Sequence, residues 1–81
     1  MKDLKLITID DIKLTIQKDE FKKIKNNWYY EDLSQEKIKA YALYTETKQQ
    51  IQNVFFDFDS MITAILMYYQ VAETPKKYFK D

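Results

Sequence analysis

The chain has 81 residues, thirteen Lys against thirteen Asp and Glu, and no Cys, His, Arg or Gly. That inventory excludes disulfide staples, thiolate metal sites, cysteine nucleophiles and glycine-rich phosphate loops, and it removes the commonest metal ligand and the readiest base near neutral pH. A formal net charge of zero disfavours both a strongly basic nucleic-acid binder and a strongly acidic mimic of nucleic acid.

A chain this short is expected to form a single domain over residues 1–81, with 76–81 as a short tail. It can bury only about 60% of its unfolded surface, so its core must be efficient. Seven Tyr, five Phe and one Trp supply the means, because each buried ring removes roughly 150–250 Å² from water. The lack of Cys favours the interior of a cell, and a cytoplasmic setting is expected. The N-terminus is charged throughout. The longest mainly apolar run, Met61–Tyr69, is far short of the ~20 residues that span a bilayer, so no targeting or membrane segment is expected. The all-Lys, Ile-rich, Ala-poor composition is that of an AT-rich genome, as in a low-GC bacterium or its phages and plasmids.

In chain order, Leu4–Ile9 is rich in strand formers and Asp10-Asp11 offers a turn. Ile12, Leu14 and Ile16 alternate with Lys13, Thr15 and Gln17, the pattern of a half-buried strand, so the first two segments read as a hairpin. A helix starting at Thr8, with Thr8 as cap and Asp11 at its third position, is the competing reading. Residues 19–27 (DEFKKIKNN) predict a short helix: acids lead, lysines follow, and Phe21, Ile24 and Trp28 give one apolar stripe. Trp28–Glu36 reads as a connector with aromatic anchors.

Ser34–Lys39 could form a first helical turn. Tyr41, Leu43 and Thr45 then alternate with Ala42 and Tyr44, predicting a β-hairpin across Lys48-Gln49-Gln50 to a strand over 51–58. In that second strand Val54, Phe56 and Phe58 take one face and Ile51, Asn53, Phe55 and Asp57 the other. With Phe55 beside Phe56, both faces meet apolar neighbours, which suits a strand inside a sheet or in an interface more than a solvated edge. Asp59 or Ser60 is expected to cap a helix over Met61–Ala72 that is apolar on almost every side and therefore buried on more than one side. Thr74-Pro75 stops it. The sum is a small α+β domain in ββα-ββα order, an antiparallel sheet packed by two helices; the alternative is mostly α-helical.

Val54–Met61, VFFDFDSM, resembles the first motif of the haloacid-dehalogenase phosphatases, an apolar strand followed by Asp-x-Asp. The resemblance implies Asp57 as nucleophile, Asp59 as general acid/base and Mg²⁺ at the strand end. Residues i and i+2 of a strand point the same way, so two carboxylates could share a cation there. The family's Gly after the second Asp is absent, and its later Ser/Thr and Lys motifs find no room. The plainer reading is a strand end whose Asp residues cap the next helix. No catalytic residue, metal or cofactor is expected.

Lys18, Lys22 and Lys25 recur at helical spacing and define a nucleic-acid alternative, with nearby tyrosines able to stack bases. The lack of Arg weighs against specific recognition of bases or phosphates. Glu31 and Asp32, with Glu36, Asp10 and Asp11, form an acidic set suited to a basic partner. Trp28, Tyr29 and Tyr30 in the connector and Tyr68 and Tyr69 on the last helix are the aromatic surplus that interfaces favour. Together, Trp28, Tyr29, Tyr30, Glu31, Asp32, Tyr68 and Tyr69 are the expected partner-binding residues. The expected function is a non-enzymatic small regulator or inhibitor, possible in a phage or mobile element, that docks on a host protein such as a nuclease or transcription component and can form a homodimer.

Overall fold

The computed structural model describes residues 3–70. The elements run β1 (Lys5–Leu6), a 3-10 turn (Ile9–Asp11), α1 (Thr15–Phe21), β2 (Tyr29–Asp32), β3 (Tyr41–Tyr44), β4 (Gln50–Phe55) and α2 (Phe58–Gln70). The strands form one antiparallel sheet in the order β1-β2-β3-β4. This is the α+β class read from the sequence, and the mostly helical alternative falls. The core lies between one sheet face and the helices. Leu43 and Ile51 from the sheet meet Met61, Ile62 and Ile65 of α2, and Ile7, Ile12 and Trp28 belong to the same cluster. Phe21 and Ile24 pack against this cluster from the α1 side.

The element order differs from expectation in its first half. Residues 12–17 are not a strand, although their alternation is regular. Ile12 is buried, but Ile16 is 80% exposed. A second strand would have to pair with β1, and β1 already pairs with β2, Lys5 opposite Tyr30 and Leu6 opposite Tyr29. The chain instead makes the 3-10 turn, in which the Asp11 carboxylate accepts from the Thr8 N–H at 2.9 Å and the Thr8 hydroxyl at 3.0 Å. The Thr8–Asp11 pairing is the one expected of the competing helical reading, here closing a single 3-10 turn. The helix that follows starts at Thr15 and ends at Phe21, earlier at both ends than the stretch over 19–27. Gln17, Phe21 and Ile24 face α2 or the core, and a Gln17–Thr63 side-chain hydrogen bond ties α1 to α2.

The expected connector over 28–36 contains β2. Its hairpin with β3 runs on past the strand ends in the same register. The Leu33 N–H donates to Ala40 O at 2.8 Å, and Gln35 and Ile38 exchange both backbone bonds at 2.9 and 2.7 Å. Ser34–Lys39 is therefore a hairpin tip and not a helical turn. Glu36 sits in that tip at φ 34° and Lys48 in the β3–β4 turn at φ 67°. These are turn positions where glycine is usual, and this chain fills them with other residues at a cost of about 1 kcal/mol each.

β3 and β4 form as expected, with Tyr41 opposite Phe55, Ala42 opposite Val54 and a register irregularity before Tyr44 opposite Gln50. β4 is an edge strand, not an interior one. α2 begins at Phe58, ahead of the expected Met61. Asp57 is its cap: the Ser60 N–H donates to Asp57 Oδ2 at 3.1 Å, and the Met61 N–H to the Asp57 carbonyl at 3.2 Å. The helix is not covered all round. Met61, Ile62, Ile65 and Tyr68 make one buried stripe, while Met67 is 64% exposed. The expected end of this helix at Ala72, the Thr74-Pro75 stop and the tail over 76–81 lie outside the described residues.

Candidate functional site

An open cavity of about 270 Å³ lies where the start of α2 meets the near ends of β2 and β3. Its aromatic wall is Tyr30 of β2, Tyr41 of β3 and Phe58 of α2. The three rings meet edge to face, with centroids 6.0 Å (Tyr30–Tyr41), 5.2 Å (Tyr30–Phe58) and 5.5 Å (Tyr41–Phe58) apart. Strand alternation puts Tyr30 and Tyr41 on the helix-covered face, and Phe58 reaches them because Asp57 starts the helix directly after β4.

Four carboxylates border the rings: Asp11 from the 3-10 turn, Asp32 from the end of β2, and Asp57 and Asp59 from the start of α2. Three of them are fixed locally through one oxygen. Asp11 Oδ2 accepts from Thr8, Asp32 Oδ1 accepts from the Ser34 N–H at 2.9 Å, and Asp57 Oδ2 accepts from Ser60. Asp59 Oδ1 is buried and has no hydrogen-bond partner, an arrangement native interiors seldom keep. Lys13 and Lys39 also line the space, and neither forms an ion pair with these carboxylates among the described residues.

Four acids against two lysines line the cavity, and the Tyr30 titration has the sign that excess negative charge gives, while Asp32 is governed instead by its own hydrogen bonds. Burial raises the Tyr30 hydroxyl above its ordinary pKa, and Asp11, Asp32 and Tyr41 push it further the same way. Asp32 is held below the usual carboxylate range by hydrogen bonding from the Ser34 side chain and backbone, partly opposed by desolvation. Fixed anions beside aromatic faces and edges are a chemistry suited to a cation such as an ammonium or guanidinium group. No group of three or more Asp, Glu, His or Cys among the described residues is placed to hold a metal ion.

The expected partner-binding residues separate into three places. Trp28 and Tyr68 are in the core, stacked at 6.4 Å and 18°, which corrects their placement at a surface. Tyr30 and Asp32 reach the cavity. Tyr29 and Glu31 alternate onto the opposite face, which no described helix covers. There the Lys48 ammonium stands 4.2 Å from the centre of the Tyr29 ring, and the Tyr44 hydroxyl donates to Glu31 Oε1 at 3.1 Å. The Tyr69 side chain lies outside the described part. The lysine row does not survive as one helical face: Lys18 lies in α1 and Lys22 at its end, but Lys25 falls in the following loop.

Sequence reasoning found Asp11, Asp32, Asp57 and Asp59 as two unrelated sets and did not connect them. It missed Lys13, Lys39, Tyr41 and Phe58 as cavity residues. Only Phe58 carried a local sign, since a residue directly after a helix cap is directed back over the preceding turn. The Asp-x-Asp pair is split between the cap and the first turn of α2. No protein-family model matches the chain, and no curated protein or solved structure gives a significant match. No helix among the described residues is long and apolar enough to cross a membrane.

Proposed function

We propose that this is a non-enzymatic binding protein, a small regulator or inhibitor, that docks on a partner protein and takes one of its basic side chains into the cavity. The observation that carries the reading is the joining of Tyr30, Tyr41 and Phe58 with four carboxylates from three elements in one open space. Its size is slightly below the ~300–1,000 Å³ common for small-molecule pockets, which favours one inserted side chain over a whole metabolite. The plain helix-capping role of Asp57 favours binding over phosphoryl chemistry.

The test is an NMR titration with a short arginine- and lysine-containing peptide, against the same peptide carrying Gln at the basic positions. Saturable shifts at the Tyr30, Tyr41 and Phe58 rings are expected with the basic peptide alone. Asp32→Asn or Asp59→Asn should weaken binding about tenfold, the worth of one charge-assisted hydrogen bond. Equal binding of both peptides, or inorganic phosphate shifting the same rings more strongly, would refute it.

A further inference from the structure

The outer edge of β4 is unpaired by any described segment, since β3 is its only neighbour in the sheet. Proteins usually protect such edges with short strands, charges or proline. The other edge follows that rule, because β1 is two residues long and one of them is Lys5. β4 does not. It runs six residues, and from Gln49 to Phe56 the chain has no charge and no proline. Apolar residues also stand on both sides of this stretch, mixed on the exposed side with Gln52. Ile51 and Phe55 turn to the core, while Val54 and Phe56 are 40% and 70% exposed. An edge facing only water would not need the second apolar set.

We propose that this edge pairs with β4 of a second copy of the chain, antiparallel, to continue the sheet across a two-fold axis. The charge pattern selects a second copy over an unrelated strand. Near a two-fold axis a strand meets itself, so any charge there would face its own kind. β4 carries none. Outside it stand Lys48 at one end and Asp57 at the other, and antiparallel pairing sets the Lys48 end of one copy beside the Asp57 end of the other. The register irregularity in β4 shortens the regular ladder that a second copy can extend.

Light scattering across a micromolar concentration series tests this, with two variants whose altered side chains are exposed. Gln52→Lys with Val54→Lys, and Gln52→Glu with Val54→Glu, should each weaken the dimer at least about tenfold, and mixing the two should restore a one-to-one heterodimer. Amide exchange of β4 in the unaltered protein should slow as concentration rises, a readout that does not depend on either variant folding. A mass that stays at 9.9 kDa throughout, as it would if residues 71–81 of the same chain covered the edge, would overturn the proposal. So would a dimer indifferent to both variants, or β4 exchange independent of concentration. The cavity reading is untouched by any of these outcomes.

Discussion

Asp57→Ala tests the joint on which both the cavity and α2 depend. In the folded chain Asp57 Oδ2 accepts from the Ser60 N–H at 3.1 Å, with the Ser60 hydroxyl at 3.4 Å. Removing an Asp cap costs about 1 kcal/mol. The lost negative charge at the start of a thirteen-residue helix adds about 0.3–1 kcal/mol, moderated because Asp59 remains in the first turn. For a domain this small each kcal/mol is worth about 4–8 °C, so Asp57→Ala should lower Tm by about 6–12 °C. Asp57→Asn keeps an acceptor oxygen and loses only the charge, so a fall of about 2–5 °C is expected. Thermal unfolding followed by far-ultraviolet circular dichroism reads both, in low salt so that the charge contribution is not screened. Asn as damaging as Ala would show that the hydrogen bond is not what Asp57 supplies, and an unchanged Tm for Ala would remove the capping argument entirely. The same pair also tests the phosphatase resemblance. A nucleophile would give Mg²⁺-dependent turnover abolished equally by Asn and Ala, and no such turnover is expected.

Other outcomes follow from the same geometry. Tyr30 is raised by burial and by Asp11, Asp32 and Tyr41, so the unfolded chain ionises first as pH climbs. Stability should be intact below the ordinary tyrosine value of 10.0 and lost as pH rises through the folded value, with the late step in an ultraviolet titration missing in Tyr30→Phe. Asp32 is depressed, so its contribution should be present above 3.8 and lost as pH falls through its lower folded value. Ser34→Ala should raise the midpoint of the Asp32 titration, followed by its carboxyl resonance, toward the ordinary carboxylate range. Ile62→Val, at a site with no solvent exposure, should cost about 0.5–1.5 kcal/mol by urea denaturation with an unchanged slope.

The second half of the fold was legible because its signals are local. Tyr41 and Leu43 alternate, residues 45–49 turn, and FFDFDS passes from strand to capped helix within a few residues. The first half was not, because its outcome is decided by partners far along the chain. Ile12, Leu14 and Ile16 are spaced for a strand, yet the edge they needed is taken by Tyr29 and Tyr30. β2 escaped notice because YYED reads as polar, although its alternation is clean: Tyr30 and Asp32 turn to one face, Tyr29 and Glu31 to the other. Trp28 and Tyr68 were placed at a surface because neighbours on a helix or strand cannot all turn inward, but nothing in the sequence says which of them does. The cavity shares this limit. Its acids were visible one by one, and only the packing of α2 across β3 and β4 brings them to the same rings.

The sheet's order, in which each strand lies beside the one before it, also sets a sequence of events in time. Closing a short loop costs little entropy and a long one more, so contacts form in order of the chain between them. The β3–β4 hairpin spans only residues 45–49 and should close first, on the microsecond scale of isolated hairpins. β2 then adds across residues 33–40, while β1 must wait until residues 7–28 are folded back. The strand completed last is thus the two-residue one, and the earliest hairpin is the one that presents the uncharged edge. While the chain is still half folded, that edge should already be formed and open, and the proposed meeting with a second copy would then be a kinetic step that can precede the docking of β1.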